Sequence, residues 1–436
     1  MQACALIDRL RPAVLACSGK ALCLAYSGGL DSTVLLHLLA RLAPEAGFLL
    51  SAVHVHHGLS AQADAWAAHC ETVCAKLGVG LRVERVKVLR DAGRGVEAAA
   101  RDARHAVLAR CPADWILLAH HADDQAETLL HRLMRGAGVI GAAAMRERDD
   151  ARRLWRPLLG VTRTELEAWA QAEKLEWIED DSNPDQRFTR NFLRHAVLGP
   201  LTERLPAASR NLARAAGHFA EAADLLRDLA QIDAQSIVLA AEGSRTGFSA
   251  LSEARRRNVL RYWLDQAGLL AVDALRLENL LQRVQSQAEV REVLGPKALC
   301  AYRSRLWIES QAASGQAASQ LWRGESILKW QEGCVRFTPA EGPEAVRLDP
   351  AQEFLELRTR QGGEHLRLGA DRPQRTLKAL CQEAGLPQWW REQLPLLWRG
   401  EALLWVGGVG PAASVRCAPG EFGWRIEWCG PDGLWR

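Results

Sequence analysis

Two hydrophobic periodicities divide the chain. Up to about residue 120, short apolar runs alternate with stretches in which apolar residues recur every three or four positions. The runs 21–27, 49–56, 81–88 and 115–120 have the length of strands and read as such. Between them, 33–42, 63–77, 96–110 and 124–135 have helical spacing. Strand–helix alternation predicts βαβ units. The expected class is α/β: a doubly wound, mostly parallel sheet with helices on both faces. Ligands of such sheets gather at the carboxyl ends of the strands, near the switch point. After about residue 188 the pattern changes. Residues 201–238 are Ala- and Leu-rich with Arg and Glu on the polar positions, and 248–268 and 275–286 also read as helical. The small, uncharged stretch 311–320 reads as a linker. From about residue 321 the runs shorten, Gly and Pro become frequent, and most of the Trp appear. Three domains are therefore expected: 1–215, α/β; 216–315, helical; and 316–436, a small α+β module.

Composition changes this picture little. A chain of 436 residues, 48% hydrophobic and 25% charged, has material for several cores and is not disordered, collagen-like or disulfide-stapled. The eleven Cys are scattered without a C-x-x-C pair, which argues against a zinc ribbon, an iron–sulfur ligand run or a disulfide framework. A reducing, cytoplasmic setting is expected. No run of 18 apolar residues predicts a membrane span. The net charge of +3 announces no polyanion partner, but the basic residues are 48 Arg and only 7 Lys. Arg presents a planar fork suited to phosphate, although a GC-rich genome, which the abundant Ala and Leu also suggest, produces the same skew. Local windows say more than the total. Arg-rich segments at 132–156, 187–214, 255–261 and 358–378 suit phosphate contacts, and equally suit solvated helix faces.

The sharpest local feature is Ser27-Gly28-Gly29-Leu30-Asp31-Ser32, between an expected strand and an expected helix. Glycines let backbone N–H groups approach an anion closely. The helix N-terminus adds free donors and a positive dipole end. Asp31 would repel phosphates unless a cation such as Mg²⁺ bridged them. A plain tight turn with an acidic N-cap is the alternative. The loop resembles the pyrophosphatase-type loop of ATP-dependent adenylating enzymes and lacks the G-K-[ST] of a Walker A motif.

The second feature, His120-His121-Ala122-Asp123-Asp124-Gln125-Ala126-Glu127, follows the fourth expected strand. Asp124 and Glu127 are three apart on the next helix and share a face. Together they suit an ammonium ligand and could take the proton an amine loses before it attacks. Acidic residues also favour a helix N-terminus through its dipole alone.

Taken whole, AHHADDQAETLLHRLMRGAGVIGAAAM (119–145) resembles a motif of the tRNA(Ile)-lysidine synthetases. Further matches follow in chain order: Val53-His54-Val55-His56-His57-Gly58-Leu59-Ser60, then Asp64-Ala65-Trp66 and Cys70; Glu97, Arg101 and Arg104; Arg156-Pro157-Leu158-Leu159; Trp177-Ile178-Glu179-Asp180 with Ser182-Asn183; and Phe188-Thr189-Arg190-Asn191-Phe192-Leu193-Arg194. Leu386-Pro387-Gln388-Trp389 and Leu404-Trp405-Val406 resemble the terminal domain of the longer members. His105 and Asp181 depart from the usual Tyr and Pro at positions peripheral to the chemistry.

The resemblance implies an adenine nucleotide alpha hydrolase-like catalytic domain. It implies ligation of free L-lysine to C2 of the wobble cytidine in a CAU-anticodon tRNA(Ile), through an adenylated cytidine, with AMP and pyrophosphate released. ATP and Mg²⁺ are the implied cofactors. Ser27, Gly28, Gly29, Leu30, Asp31 and Ser32 would bind ATP, with Asp31 placing Mg²⁺, and Asp124 and Glu127 would bind the lysine amine. Arg101, Arg104, Arg132, Arg135 and Arg194 would contact tRNA or phosphate. No membrane partner is implied, and a homodimer stays open. Two alternatives compete: an ATP-dependent tRNA thiolase with the same loop, and a tRNA-binding protein with a decayed nucleotide site.

Overall fold

The computed structural model describes residues 2–87, 96–179, 189–239, 245–269, 272–310, 319–331 and 333–430. The Glu97 side chain and residues 180–188, with Asp180, Ser182, Asn183 and Phe188, lie outside the described residues. The chain forms two compact units, Met1–Leu225 and Leu226–Arg436.

The first unit is built on a six-stranded sheet. Its strands are β1 (Ala21–Ala25), β2 (Leu49–His56), β3 (Gly80–Arg85), β4 (Trp115–Leu117), β5 (Arg148–Asp149) and β6 (Leu154–Trp155), in the order β3-β2-β1-β4-β6-β5. All pairings are parallel except that of β5 with β6. One face is covered by α1 (Gln2–Leu15), α2 (Leu30–Ala46), α3 (Ala63–Leu77) and α7 (Arg163–Ala172). Helix α2 buries Leu30, Val34, Leu35, Leu36, Leu38, Leu39 and Leu42, apolar nearly all round because it is packed on both sides. On the other face, Leu108 of α4 (Val96–Ala109) and Cys111 pack against Cys23, Val53 and Ile116. The chain builds outward from β1 to β3, then returns to place β4 on the other side of β1. The strand order thus reverses at the carboxyl ends of β1 and β4, where an α/β sheet opens a crevice. Helices α5 (Ala122–Met134) and α6 (Val139–Ala142) follow β4. Beyond α7 come the short helix α8 (Thr189–Phe192), a π-helical turn at Leu193–Leu198 and α9 (Gly199–Arg204).

Helix α10 (Ala208–Leu239) carries the chain into the second unit. There α11 (Arg245–Ala250), α12 (Glu253–Gln266) and α13 (Ala274–Ser286) share a core with an antiparallel meander of β7 (Glu289–Leu294), β8 (Lys297–Tyr302) and β9 (Arg305–Ser310). The middle segment is therefore helical with a small sheet at its end, not helical throughout. These six-residue strands are too short for periodicity to separate them from helix, but the turns at Gly295 and Arg303, both with positive φ, mark them.

The remainder is α+β. A five-stranded antiparallel sheet joins β10 (Ser319–Trp322), β13 (Leu355–Arg358), β16 (Leu396–Arg399), β17 (Ala402–Val406) and β18 (Gly410–Pro411). A three-stranded sheet joins β11 (Ile327–Trp330), β12 (Gly333–Glu341) and β19 (Phe422–Cys429), and β14 (His365–Leu366) pairs with β15 (Arg375–Thr376). Helices α14 (Leu377–Glu383) and α15 (Gln388–Arg391) add Leu380 and Trp390 to a core that also holds Trp322, Trp330, Trp405 and Trp428. Burial of these indoles is packing, consistent with their large apolar area. Among the described residues no helix is long and apolar enough to cross a membrane.

Candidate active site

The loop after β1 is fixed by contacts its sequence supplies. Gly28 has φ +84°, and a Cβ there would lie 2.5 Å from Ile178 Cδ1 and 2.9 Å from Cys70 Sγ. Only glycine fits both the backbone and the space. Gly29 has extended backbone and no such conflict. The hydroxyls tie the loop to itself: Ser27 Oγ lies 3.0 Å from Ser32 Oγ, Ser32 Oγ donates to the Gly29 carbonyl at 3.0 Å, and Thr33 Oγ1 donates to the Gly28 carbonyl at 3.2 Å. Ile178 N–H holds the loop from outside, donating to the Gly28 carbonyl at 2.9 Å. Helix α2 then begins at Leu30 without a side-chain cap, so its first amides are open to an anion.

Asp31 and Asp124 meet at one imidazole. His121 Nε2 lies 3.6 Å from Asp31 Oδ2 and 3.5 Å from Asp124 Oδ2, and His121 Nδ1 lies 3.4 Å from Asp123 Oδ2. Burial disfavours a charged imidazole, but Asp124, Asp123 and Asp31 outweigh it and raise the His121 pKa. The Asp31 carboxyl is raised chiefly by burial, against the pull of His121 and Arg163. Its Oδ1 is buried with no hydrogen-bond partner. A buried, unpartnered carboxylate oxygen beside a phosphate-type loop fits a hard divalent cation such as Mg²⁺.

The acidic pair is occupied. Glu127 Oε2 accepts from Arg190 Nε at 2.8 Å and Glu127 Oε1 from Arg194 Nε at 2.6 Å. Asp124 Oδ1 accepts from Arg190 Nη2 at 3.0 Å and faces Arg194 Nη2 at 3.4 Å, while Asp124 Oδ2 accepts from the His121 N–H at 3.0 Å. The Glu127 side chain is 1% exposed, whereas those of Arg190 and Arg194 are 39% and 29% exposed. Burial would raise the Asp124 carboxyl, but His121, Arg190 and His120 pull it below the usual range. Arg190 and Arg194 are four apart across the start of the π-helical turn, so both guanidiniums project to one side.

The other basic residues fall into two groups. Burial, with Arg101 and Arg190 close by, depresses the Arg104 pKa, and Arg101 likewise acts on Arg132 and Arg156. These side chains thus gather into one positive rim. Arg101 is exposed, and neither it nor Arg104 meets a carboxylate among the described residues; Arg135, also exposed, caps the end of α5. Arg132 instead donates to the Gly141 and Ala144 carbonyls at 2.8 and 2.9 Å, pinning α6 to α5. His120, whose Nδ1 is buried and unpartnered, is held neutral by burial, its pKa down to about 3.

Some arginines of the Arg-rich windows are already paired. Arg255 pairs with buried Asp233, Arg257 with Glu253 and Glu278, Arg146 with Asp224, Arg360 with Glu364, and Arg375 with Glu383. Sequence reasoning gave no role to His121 or Arg163 and counted Arg190 only within a motif. The histidine run was a usable signal. Nothing local pointed to Arg190 sitting on residues more than sixty positions earlier.

Comparison with known proteins agrees with this architecture. The PP-loop domain family matches residues 6–201, the TilS substrate binding domain 244–307, and the TilS substrate C-terminal domain 355–428. The tRNA(Ile)-lysidine synthase of Aromatoleum aromaticum is 48% identical over 93% of this chain and 97% of its own. That of an Azoarcus species is 45% identical over 93% and 91%, and that of Pseudomonas aeruginosa 43% identical over 94% and 93%. With a phosphate-type loop, a shared acidic crevice and relatives of this identity over nearly the whole length, the chain belongs to the tRNA(Ile)-lysidine synthase family.

Proposed function

We propose that the crevice between β1 and β4 uses ATP to activate O2 of the wobble cytidine in a CAU-anticodon tRNA(Ile). The ε-amine of free L-lysine then forms a bond to C2 and AMP leaves. The observation that carries this reading is the shared imidazole: His121 bridges Asp31 of the ATP loop and Asp124 of the amine site. Ser27–Ser32 and the open N-terminus of α2 would bind the phosphates. Asp31 would hold Mg²⁺, which neutralises phosphate charge.

Lysine is protonated near neutrality, with an amine pKa of about 10.4. It needs one group to attract it and another to take its proton. Asp124 and Glu127 supply both, once Arg190 and Arg194 give way. Both guanidiniums are partly exposed and can turn toward phosphate at little desolvation cost. Arg101, Arg104 and Arg135 would contact the anticodon backbone, and segments 216–315 and 316–436 would grip the tRNA body.

Sulfur transfer at this crevice is disfavoured by the buried thiols of the first unit. Burial pushes Cys70 up to about 12 and Cys74 to about 11, and burial with the Cys111 thiol pushes Cys23 to about 11. A sulfur carrier needs an accessible thiolate. The test incubates the chain with CAU-anticodon tRNA, ATP and radiolabelled lysine. ATP-dependent labelling of the tRNA is expected, and tRNA-dependent pyrophosphate release without labelling would overturn the assignment of lysine. Glu127→Gln is expected to release pyrophosphate and fail to transfer lysine; unchanged transfer would remove Glu127 from the amine site.

A further inference from the structure

Ten of the eleven cysteines have described side chains, and eight of these are buried; among the ten, only Cys334 and Cys429 are partly exposed. These two are direct partners across the antiparallel ladder of β12 and β19, at its last pair. The strands close tightly there: a Cβ on Gly333 would lie 2.1 Å from the Cys429 carbonyl oxygen, so glycine beside Cys334 permits the approach. The thiols are near enough to interact, and burial together with the Cys429 thiol pushes the Cys334 pKa up. Both positions lie outside the segments matched by the family domains, which end at residues 307 and 428 and resume at 355. Cross-strand neighbours have Cα atoms about 4.5–5.5 Å apart, inside the range a disulfide spans.

We propose that Cys334 and Cys429 are an oxidisable pair that forms a reversible disulfide, stapling β19 to β12. With glutathione disulfide as oxidant, one protein thiolate attacks it and expels glutathione thiolate. The second protein thiol then displaces the other glutathione. One protein S–S bond forms, the glutathione S–S bond breaks, two electrons pass to glutathione, and the two protein thiol protons end on two glutathione molecules. The other eight cysteines with described side chains are screened from this exchange by burial. The bond would close a loop of roughly 95 residues and restrict the unfolded chain accordingly.

The experiment equilibrates the full chain with glutathione and glutathione disulfide at set ratios, quenches with alkylating reagent and maps the peptides by mass. The expected result is a linked peptide joining Cys334 and Cys429. Its formation should raise the unfolding midpoint of the second unit by about 5 °C or more, reversed by dithiothreitol. Cys429→Ser should lose both the linked peptide and the shift while its reduced midpoint stays close to that of the parent. Recovery of the two cysteines as free thiols, as separate glutathione adducts, or linked to other cysteines would overturn the proposal.

Discussion

Replacing Gly28 by alanine tests the loop geometry most directly. Two costs add at this position. The backbone has φ +84°, where a residue with a Cβ loses about 1–2 kcal/mol. The new methyl would also sit 2.5 Å from Ile178 Cδ1 and 2.9 Å from Cys70 Sγ. Overpacking of this kind costs about 1–3 kcal/mol. A total of about 2–5 kcal/mol must be absorbed either by the fold or by displacement of the loop. If about 2 kcal/mol falls on the loop, ATP binding weakens roughly thirtyfold. Equilibrium binding of ATP and urea unfolding, measured on the same variant, divide the cost between the two. The second substitution Ile178→Val deletes the clashing Cδ1 atom. The double variant should regain part of the loss and retain the backbone component. Parental ATP affinity and stability in Gly28→Ala would refute the reasoning. So would a double variant no better than the single one, because the clash would then not reside on Ile178.

Other consequences are independent of that loop. Asp31→Asn should lower pyrophosphate release at least a hundredfold at any Mg²⁺ concentration while leaving the unfolding midpoint near the parental value, since the lost carboxylate oxygen Oδ1 has no protein partner; activity restored by excess Mg²⁺ would count against it. Glu309 in the second unit accepts from the indoles of Trp307 at 3.0 Å and Trp390 at 2.9 Å and from Arg291 at 3.2 Å. Glu309→Ala leaves these donors unsatisfied and should cost about 3 kcal/mol in urea unfolding, with Glu309→Gln costing less; equal costs would deny the carboxylate its role. Glu364 is buried, which alone would raise its pKa, but the Gln361 and Gly362 N–H groups and Arg360 outweigh burial and depress it. A depressed carboxyl contributes stability that is present above the unfolded value of about 4.5 and lost as pH falls through the folded value. The parent should therefore lose stability over that acid interval more steeply than Glu364→Gln, and parallel profiles would contradict the assignment.

Much of the first unit was legible along the chain. Strand β2 and helix α3 lie where periodicity placed them, because an amphipathic pattern and its flanking glycines are local properties. The loop 27–32 was recognisable because two glycines, a carboxylate and hydroxyls stand consecutively between a strand and a helix. The small sheet β7–β9 was missed, since six-residue strands with one buried face carry too few positions to reveal a period of two.

What the sequence determined by itself was the inventory: the phosphate-type loop, the carboxylates three apart on one helix, and the order of strands and helices that prescribes a switch-point crevice. Tertiary structure alone decided which charges are spent. Arg190 and Arg194 close over Asp124 and Glu127, and Asp233 takes Arg255 out of a basic run that reads as an RNA patch. His121 becomes a hub only because three carboxylates converge on it. The physical reason is range. Helical and strand patterns are set by neighbours a few residues apart, whereas ion pairing and burial depend on groups that meet only when distant segments pack, and charge in a partly desolvated crevice is governed by those meetings.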